Sequence, residues 1–104
     1  MTIQIVETEH LKDFPPSSVQ IAPTRLLDAG NIHTVLVNLG IGQAVASCQM
    51  SVTVLYYVIE GQGSLRVGDE EVRLQAGSLA LVPAGAVRTI AADEPIRVLG
   101  VQVS

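Results

Sequence analysis

Apolar and polar residues alternate with a period of two over most of the chain from residue 24 onward. In the clearest run, His33 to Leu39, the side chains of Val35, Val37 and Leu39 fall on one face. A period of two is that of β-strands, whereas no stretch keeps a helical period over a useful length. The predicted strands cover residues 24–27, 33–39, 52–59, 64–67, 71–74, 78–82, 87–91 and 96–103, and residues 2–6 are strand-like in composition.

This pattern predicts an all-β domain, a sandwich or barrel of about nine strands at intervals of roughly 8–12 residues with glycine and proline turns. A chain of 104 residues has the size of one domain. Residues 24–104 are expected to form the barrel. Residues 1–23 contain Pro15 and Pro16, which interrupt any helix, and are expected to form an extended N-terminal arm along a barrel edge.

Composition and charge argue against several classes of function and location for this chain. The aromatic residues are Phe14, Tyr56 and Tyr57, so the core must consist of valine, leucine, isoleucine and alanine. The net charge is −4 and the six Lys/Arg residues are scattered, so neither nucleic acid nor an anionic membrane is an expected partner. Cys48 is the one cysteine and the N-terminal residues do not resemble a signal peptide, which predicts a cytoplasmic protein.

Glycine and proline spacing between residues 42 and 88 adds a second pattern. Five residues separate Gly42 from Cys48, and six separate Val54 from Gly61. Later in the chain, five residues separate Gly77 from Pro83, and Gly85, Arg88 and Ala92 follow. This spacing resembles the two motifs of the cupin superfamily, whose small RmlC-like members are jelly-roll β-barrels (double-stranded β-helices). The resemblance covers roughly residues 24–104.

The resemblance also shows where metal ligands would stand. In metal-dependent cupins two histidines, a glutamate and a third histidine converge inside the barrel. The matching positions here are Cys48, Met50, Val54 and Arg88. Val54 has no donor atom, and Arg88 is a permanent cation that would repel a metal ion. No metal ion and no other cofactor is therefore expected.

Three interpretations of this altered site stay open. In the first, alternate residues of one inward-facing strand simply fill the barrel, while Arg88 reaches out of its mouth or pairs with Glu60, Asp93 or another acid. In the second, Arg88 binds a small anion, an organic acid or a sugar phosphate. In the third, Cys48 is a soft Cu(I) ligand with Met50 or a reactive thiolate. The inward-facing row would consist of Cys48, Met50, Val52, Val54, Tyr56 and Val58.

The second interpretation predicts a metal-independent small-molecule binding protein. Its ligand-binding residues would be Cys48, Met50, Val54, Tyr56 and Arg88. One alternative is a metal-independent isomerase, epimerase or lyase, for which His33 could supply an acid or base, and another is a structural or regulatory barrel with a ligand-free interior. The scarcity of acid–base groups favours the binding protein. The resemblance to cupins further implies a homodimer.

Overall fold

The computed structural model describes residues 4–5, 7, 24–49 and 51–103, with only the backbone at positions 24–25 and 46–49. Nine strands succeed one another within these ranges, and all of their pairings are antiparallel. This confirms the all-β jelly-roll fold. The strands are β1 (Thr24–Ala29), β2 (Ile32–Leu39), β3 (Ala44–Gln49), β4 (Thr53–Glu60), β5 (Gln62–Val67), β6 (Glu70–Gln75), β7 (Leu79–Val82), β8 (Val87–Ala92) and β9 (Ile96–Val103).

The strands form two sheets that enclose one core. The five-stranded sheet has the order β1-β2-β9-β4-β7, and the four-stranded sheet has the order β3-β8-β5-β6. Alternate side chains of both sheets point inward, because successive residues of a strand face opposite sides. The core formed in this way is aliphatic apart from one tyrosine, as the composition predicts. It comprises Val37, Leu39, Val54, Tyr56, Val58, Leu65, Leu74, Val82, Ile90, Ala92, Ile96 and Val98.

The turns that the motif spacing predicts are present. Gly42, Gly61 and Gly77 all have positive φ, at 76°, 97° and 91°, a conformation that strains residues with a Cβ. Gly61 is needed for a second reason, since a Cβ atom there would lie 2.1 Å from the carbonyl oxygen of Pro95. Each of these glycines lies where the chain passes from one sheet to the other.

One expectation about the strands is wrong. The row from Cys48 to Val58 does not lie on one strand, because β3 ends at Gln49 and β4 begins at Thr53 in the other sheet. The alternation does hold within β4, where Val54, Tyr56 and Val58 are buried. The two halves of the first motif therefore contribute to opposite sheets, which the periodicity alone could not indicate.

The N-terminal arm lies almost entirely outside the described residues, and so does most of the strand-like stretch at 2–6. Of the described positions there, Gln4 donates from Nε2 to the carbonyl oxygen of Asp28 (2.8 Å) and accepts at Oε1 from its amide (3.3 Å). In the part of the chain that the structure describes, no helix has the length and apolar character to span a membrane.

Candidate functional site

Arg88 lies on β8, in the interior of the four-stranded sheet. Its backbone pairs with Cys48 of β3 on one side and with Val67 of β5 on the other. Along β8 the buried positions are Arg88, Ile90 and Ala92, so the arginine belongs to the row of side chains that faces the core. Its exposed fraction is 1%. The guanidinium is thus fixed inside the barrel by a strand with neighbours on both sides.

The buried guanidinium has no hydrogen-bond partner among the described residues, since Nε, Nη1 and Nη2 are all buried and unsatisfied. The acids that were expected to pair with it are engaged elsewhere: Glu60 with Arg97 Nη1 at 2.9 Å, and Asp93 with Arg73 at 2.5 Å. Arg88 therefore neither pairs with Glu60 or Asp93 nor reaches out of the barrel, and no other acid among the described residues pairs with it.

Tyr56 faces Arg88 from the opposite sheet. The Arg88 Cζ atom lies 5.7 Å from the centroid of the tyrosine ring, within the range of a cation–π contact. Gly100 of β9 is the backbone partner of Tyr56. A Cβ atom at Gly100 would lie 3.5 Å from Tyr56 Cε1 and 3.0 Å from Val35 Cγ2. Gly100 therefore leaves room for Val35, whereas a methyl group there would be in ordinary contact with the tyrosine ring.

The wall beside Tyr56 is apolar. Val54, two residues earlier on β4, is 1% exposed. Its register partners are Val82 of β7 and Gln102 of β9. An alkyl side chain thus occupies the position at which the cupin pattern carries a carboxylate, and it offers no lone pair to a cation. Together with the guanidinium of Arg88, Val54 makes this pair of positions unfit for a metal ion.

His33 belongs to the same inward-facing row, because it pairs with Gln102, which in turn pairs with Val54. The His33 Nδ1 atom contacts the Asp28 carboxylate across the β1–β2 hairpin. The sequence suggested His33 as an acid or base but did not indicate Asp28, because the strand was expected to end before it. A histidine oriented by a carboxylate is a common arrangement for proton transfer.

The other sequence candidates are not tested. Only the backbone of Cys48 is described, and Met50 lies outside the described residues, so their roles as ligand-binding, metal-binding or reactive residues stay predictions. No group of three or more His, Cys, Asp or Glu side chains within the described ranges is placed to hold a metal ion.

Comparison with known families agrees with this architecture. The profile of the cupin domain family matches residues 36–102, which is more than half of the chain. The chain belongs to the cupin family. The match includes the strands that carry Tyr56, Arg88 and Gly100. A comparison with curated proteins finds no match.

Solved structures with the same fold come from several bacteria. A protein from Thermus thermophilus shares 26% identity, with a TM-score of 0.85 and 97% of each chain covered. An uncharacterised conserved protein with a double-stranded β-helix domain from Klebsiella pneumoniae shares 21% identity and a TM-score of 0.85 over 98% of this cupin and 90% of its own chain. An RmlC-like cupin from Desulfovibrio desulfuricans shares 17% identity, with a TM-score of 0.79 over 89% and 91% of the two chains.

Proposed function

We propose that this cupin binds a small anionic molecule inside its barrel, with Arg88 as the anchor. The observation that carries the proposal is the state of that side chain, which is 1% exposed and has no hydrogen-bond partner among the described residues. A buried ionised group without a partner is strongly unfavourable. A bound carboxylate or phosphate would supply both the opposite charge and the missing acceptors.

The proposed binding does not use a metal ion. Val54 provides no donor atom, and the positive charge of Arg88 opposes a second cation in a low-dielectric interior. Action in the cytoplasm is part of the same proposal, supported by the single cysteine of the chain.

Binding can be tested by calorimetric titration of the full chain with acetate, benzoate and inorganic phosphate. Arg88→Met should weaken the binding of every anion that binds the native protein by about 10- to 100-fold, which corresponds to the loss of a charge-assisted hydrogen bond. Arg66→Met is the matched control, because Arg66 lies on the neighbouring strand β5 and is exposed. Equal affinities in the native protein and Arg88→Met would contradict the proposal and favour a ligand-free barrel.

The His33–Asp28 contact favours a second candidate, a metal-independent isomerase, epimerase or lyase. In that case the ligand held by Arg88 would be a substrate, and His33 would move a proton on it. Incubating any acid that binds with the native protein in heavy water tests this idea. If the native protein and Arg66→Met exchange a substrate proton and His33→Gln does not, the result would support an enzyme. No exchange in the native protein would support a protein that binds the acid without turnover.

We also propose that two copies of the chain associate through the outer face of the five-stranded sheet. Exposed apolar side chains cover this face at Leu79, Leu81, Tyr57, Val103 and Ile32. The four neighbouring strands that carry them make a surface of roughly 20 by 25 Å, the order of size that a stable interface needs. The same face can meet itself around a two-fold axis.

A further inference from the structure

We infer that the ligand is a small monocarboxylate with an apolar body, such as a short branched or aromatic acid. The inference rests on the proposed function and adds the chemical class of the ligand to it. It depends on three features of the described barrel interior: the single positive charge of its core-facing rows, the guanidinium that lies 5.7 Å from the centroid of the Tyr56 ring with no hydrogen-bond partner among the described residues, and the chemistry of the surrounding walls.

The charge inside the barrel matches a single negative charge. Arg88 is the one cationic side chain of the described core-facing rows. The other buried arginine, Arg97, lies between Asn38 and Glu60 in the sheet, and its charge is already paired because it is bonded to that glutamate. A carboxylate carries one negative charge and would be neutralised by Arg88. A phosphate ester carries about −1.5 to −2 at neutral pH, so part of its charge would stay unbalanced in the interior.

The geometry of the guanidinium also suits a planar acid. Tyr56 lies against the guanidinium group, with the Arg88 Cζ atom 5.7 Å from the ring centroid. All three guanidinium nitrogens lack a hydrogen-bond partner in the described structure. A carboxylate accepts two parallel hydrogen bonds from such a planar fork, and Tyr56 supplies an aromatic surface beside the bound group.

The walls favour an apolar body over a sugar or a hydroxy acid. The buried residues on the inward faces of β4, β7 and β8 are aliphatic apart from Tyr56 and Arg88. Polar inward-facing side chains lie at one end of this wall, at His33 and Gln102, and a ligand hydroxyl elsewhere along it loses its bonds to water without gaining a partner. Small barrels of this size hold side chains and at most one small ligand. A compact hydrocarbon group therefore fits better than a polyol. The aliphatic residues are Val54, Val58, Val82, Ile90 and Ala92.

The test compares probes that differ in one property at a time. The acids are isovalerate and benzoate, benzamide is the neutral counterpart, and phenyl phosphate changes only the charged group. Succinate and glycerol phosphate add a second charge and a polar body. NMR of isotope-labelled arginine side chains in the full chain provides a direct readout, because the Arg88 resonance is identified by its absence in Arg88→Met. Calorimetry then gives the affinities, with Arg66→Met as the control.

We expect benzoate or isovalerate to shift the Arg88 resonance and to bind at least about tenfold more tightly than phenyl phosphate, succinate or glycerol phosphate. Benzamide should not bind, and Arg88→Met should bind each of the acids about 10- to 100-fold more weakly than the native protein. Equal or tighter binding of a phosphate or dicarboxylate at Arg88 would overturn the monocarboxylate inference and leave the anion site intact. No response of the Arg88 resonance to any probe would overturn the proposed function as well.

Discussion

Arg88 is a buried side chain whose positive charge opposes the stability of the surrounding fold. A buried and unpaired guanidinium is unfavourable for the ligand-free protein. The four-stranded sheet nevertheless holds it in place, because β8 pairs with a strand on each side. In the proposed function this residue serves binding at the expense of folding, and that difference can be measured.

We expect Arg88→Met to raise the free energy of unfolding of the ligand-free protein by about 1–4 kcal/mol, since an apolar side chain of similar volume replaces an uncompensated charge. Urea denaturation of protein that has been unfolded, dialysed and refolded measures the change. Arg97→Met is the contrasting variant and should lower the free energy of unfolding, because Arg97 donates to Glu60 at 2.9 Å. A destabilised Arg88→Met protein would mean that the guanidinium is satisfied within the fold.

Gly100→Ala should lower the free energy of unfolding by about 1–3 kcal/mol, because the added methyl group would lie 3.0 Å from Val35 Cγ2 and force that side chain to move. The methyl group would lie 3.5 Å from Tyr56 Cε1, which is ordinary contact, so the dissociation constant for benzoate should stay the same. Urea denaturation and calorimetry measure the two quantities. An unchanged free energy of unfolding would mean that Val35 moves without strain.

At this scale the sequence identified some residues and missed others. Arg88 was singled out because the motif spacing puts it at a ligand position, and Tyr56 because the alternation puts it on an inward face; both side chains are buried. Asp28 and Gly100 were missed because their roles depend on contacts between strands, Asp28 with His33 across a hairpin and Gly100 with Val35 across the sheet. Periodicity reports which face a residue occupies but not which residue lies beside it.

Among the elements, β5 and β8 show why a glycine with ordinary φ can matter as much as one with positive φ. A Cβ atom at Gly63 would lie 2.2 Å from the carbonyl oxygen of Ala91, which is a backbone atom and cannot rotate away. Gly68, in the next turn, has a φ of 60° and nothing within 4 Å of a Cβ atom. The first glycine is needed for strand packing and the second only for the turn.

Gly63→Ala should therefore lower the free energy of unfolding by about 3 kcal/mol or more, because β5 must separate from β8 to accommodate the methyl group. Gly68→Ala should lower it by only about 1 kcal/mol, the usual loss at a left-handed position. Denaturant midpoints of the two variants give the comparison. Equal losses would mean that β5 and β8 adjust to the methyl group without strain.

The prediction of elements from sequence succeeded for strands with clear alternation and failed at β3. Its sequence, Ala44-Val-Ala-Ser-Cys-Gln49, contains small residues whose alternation is weak, and its pairing with β8 shifts register between Val45 and Cys48. The motif spacing runs without a break from β3 into β4, so it does not indicate that the two strands belong to different sheets. Chain topology is decided by long-range pairing that a local pattern does not report.

For the whole molecule, the apolar outer face of the five-stranded sheet predicts association. Leu79 and Leu81 of β7 are 65% and 67% exposed, beside Tyr57 of β4. Leu81→Glu should convert a dimer into a monomer, because two-fold symmetry places the new charge in the interface twice. Sedimentation equilibrium of the full chain measures the state.

Ile41→Glu is the control for this experiment, since Ile41 is 73% exposed but lies in the turn between β2 and β3. That variant should stay dimeric. A native protein that is monomeric at all concentrations, or a Leu81→Glu protein that is still dimeric, would contradict the proposed interface. An intact dimer in Leu81→Glu would direct the search to other exposed apolar positions.

The division of the site between two sheets has a consequence for how binding preferences can change. Arg88 stands on one sheet, while Tyr56, Val54 and Val82 stand on the other. Substitutions that adapt the proposed site to a different hydrocarbon body can therefore accumulate on β4 and β7 without altering the strand that carries the charge. The proposed binding mode is in this sense modular: one strand would select for an acid, and the facing strands would decide which acid.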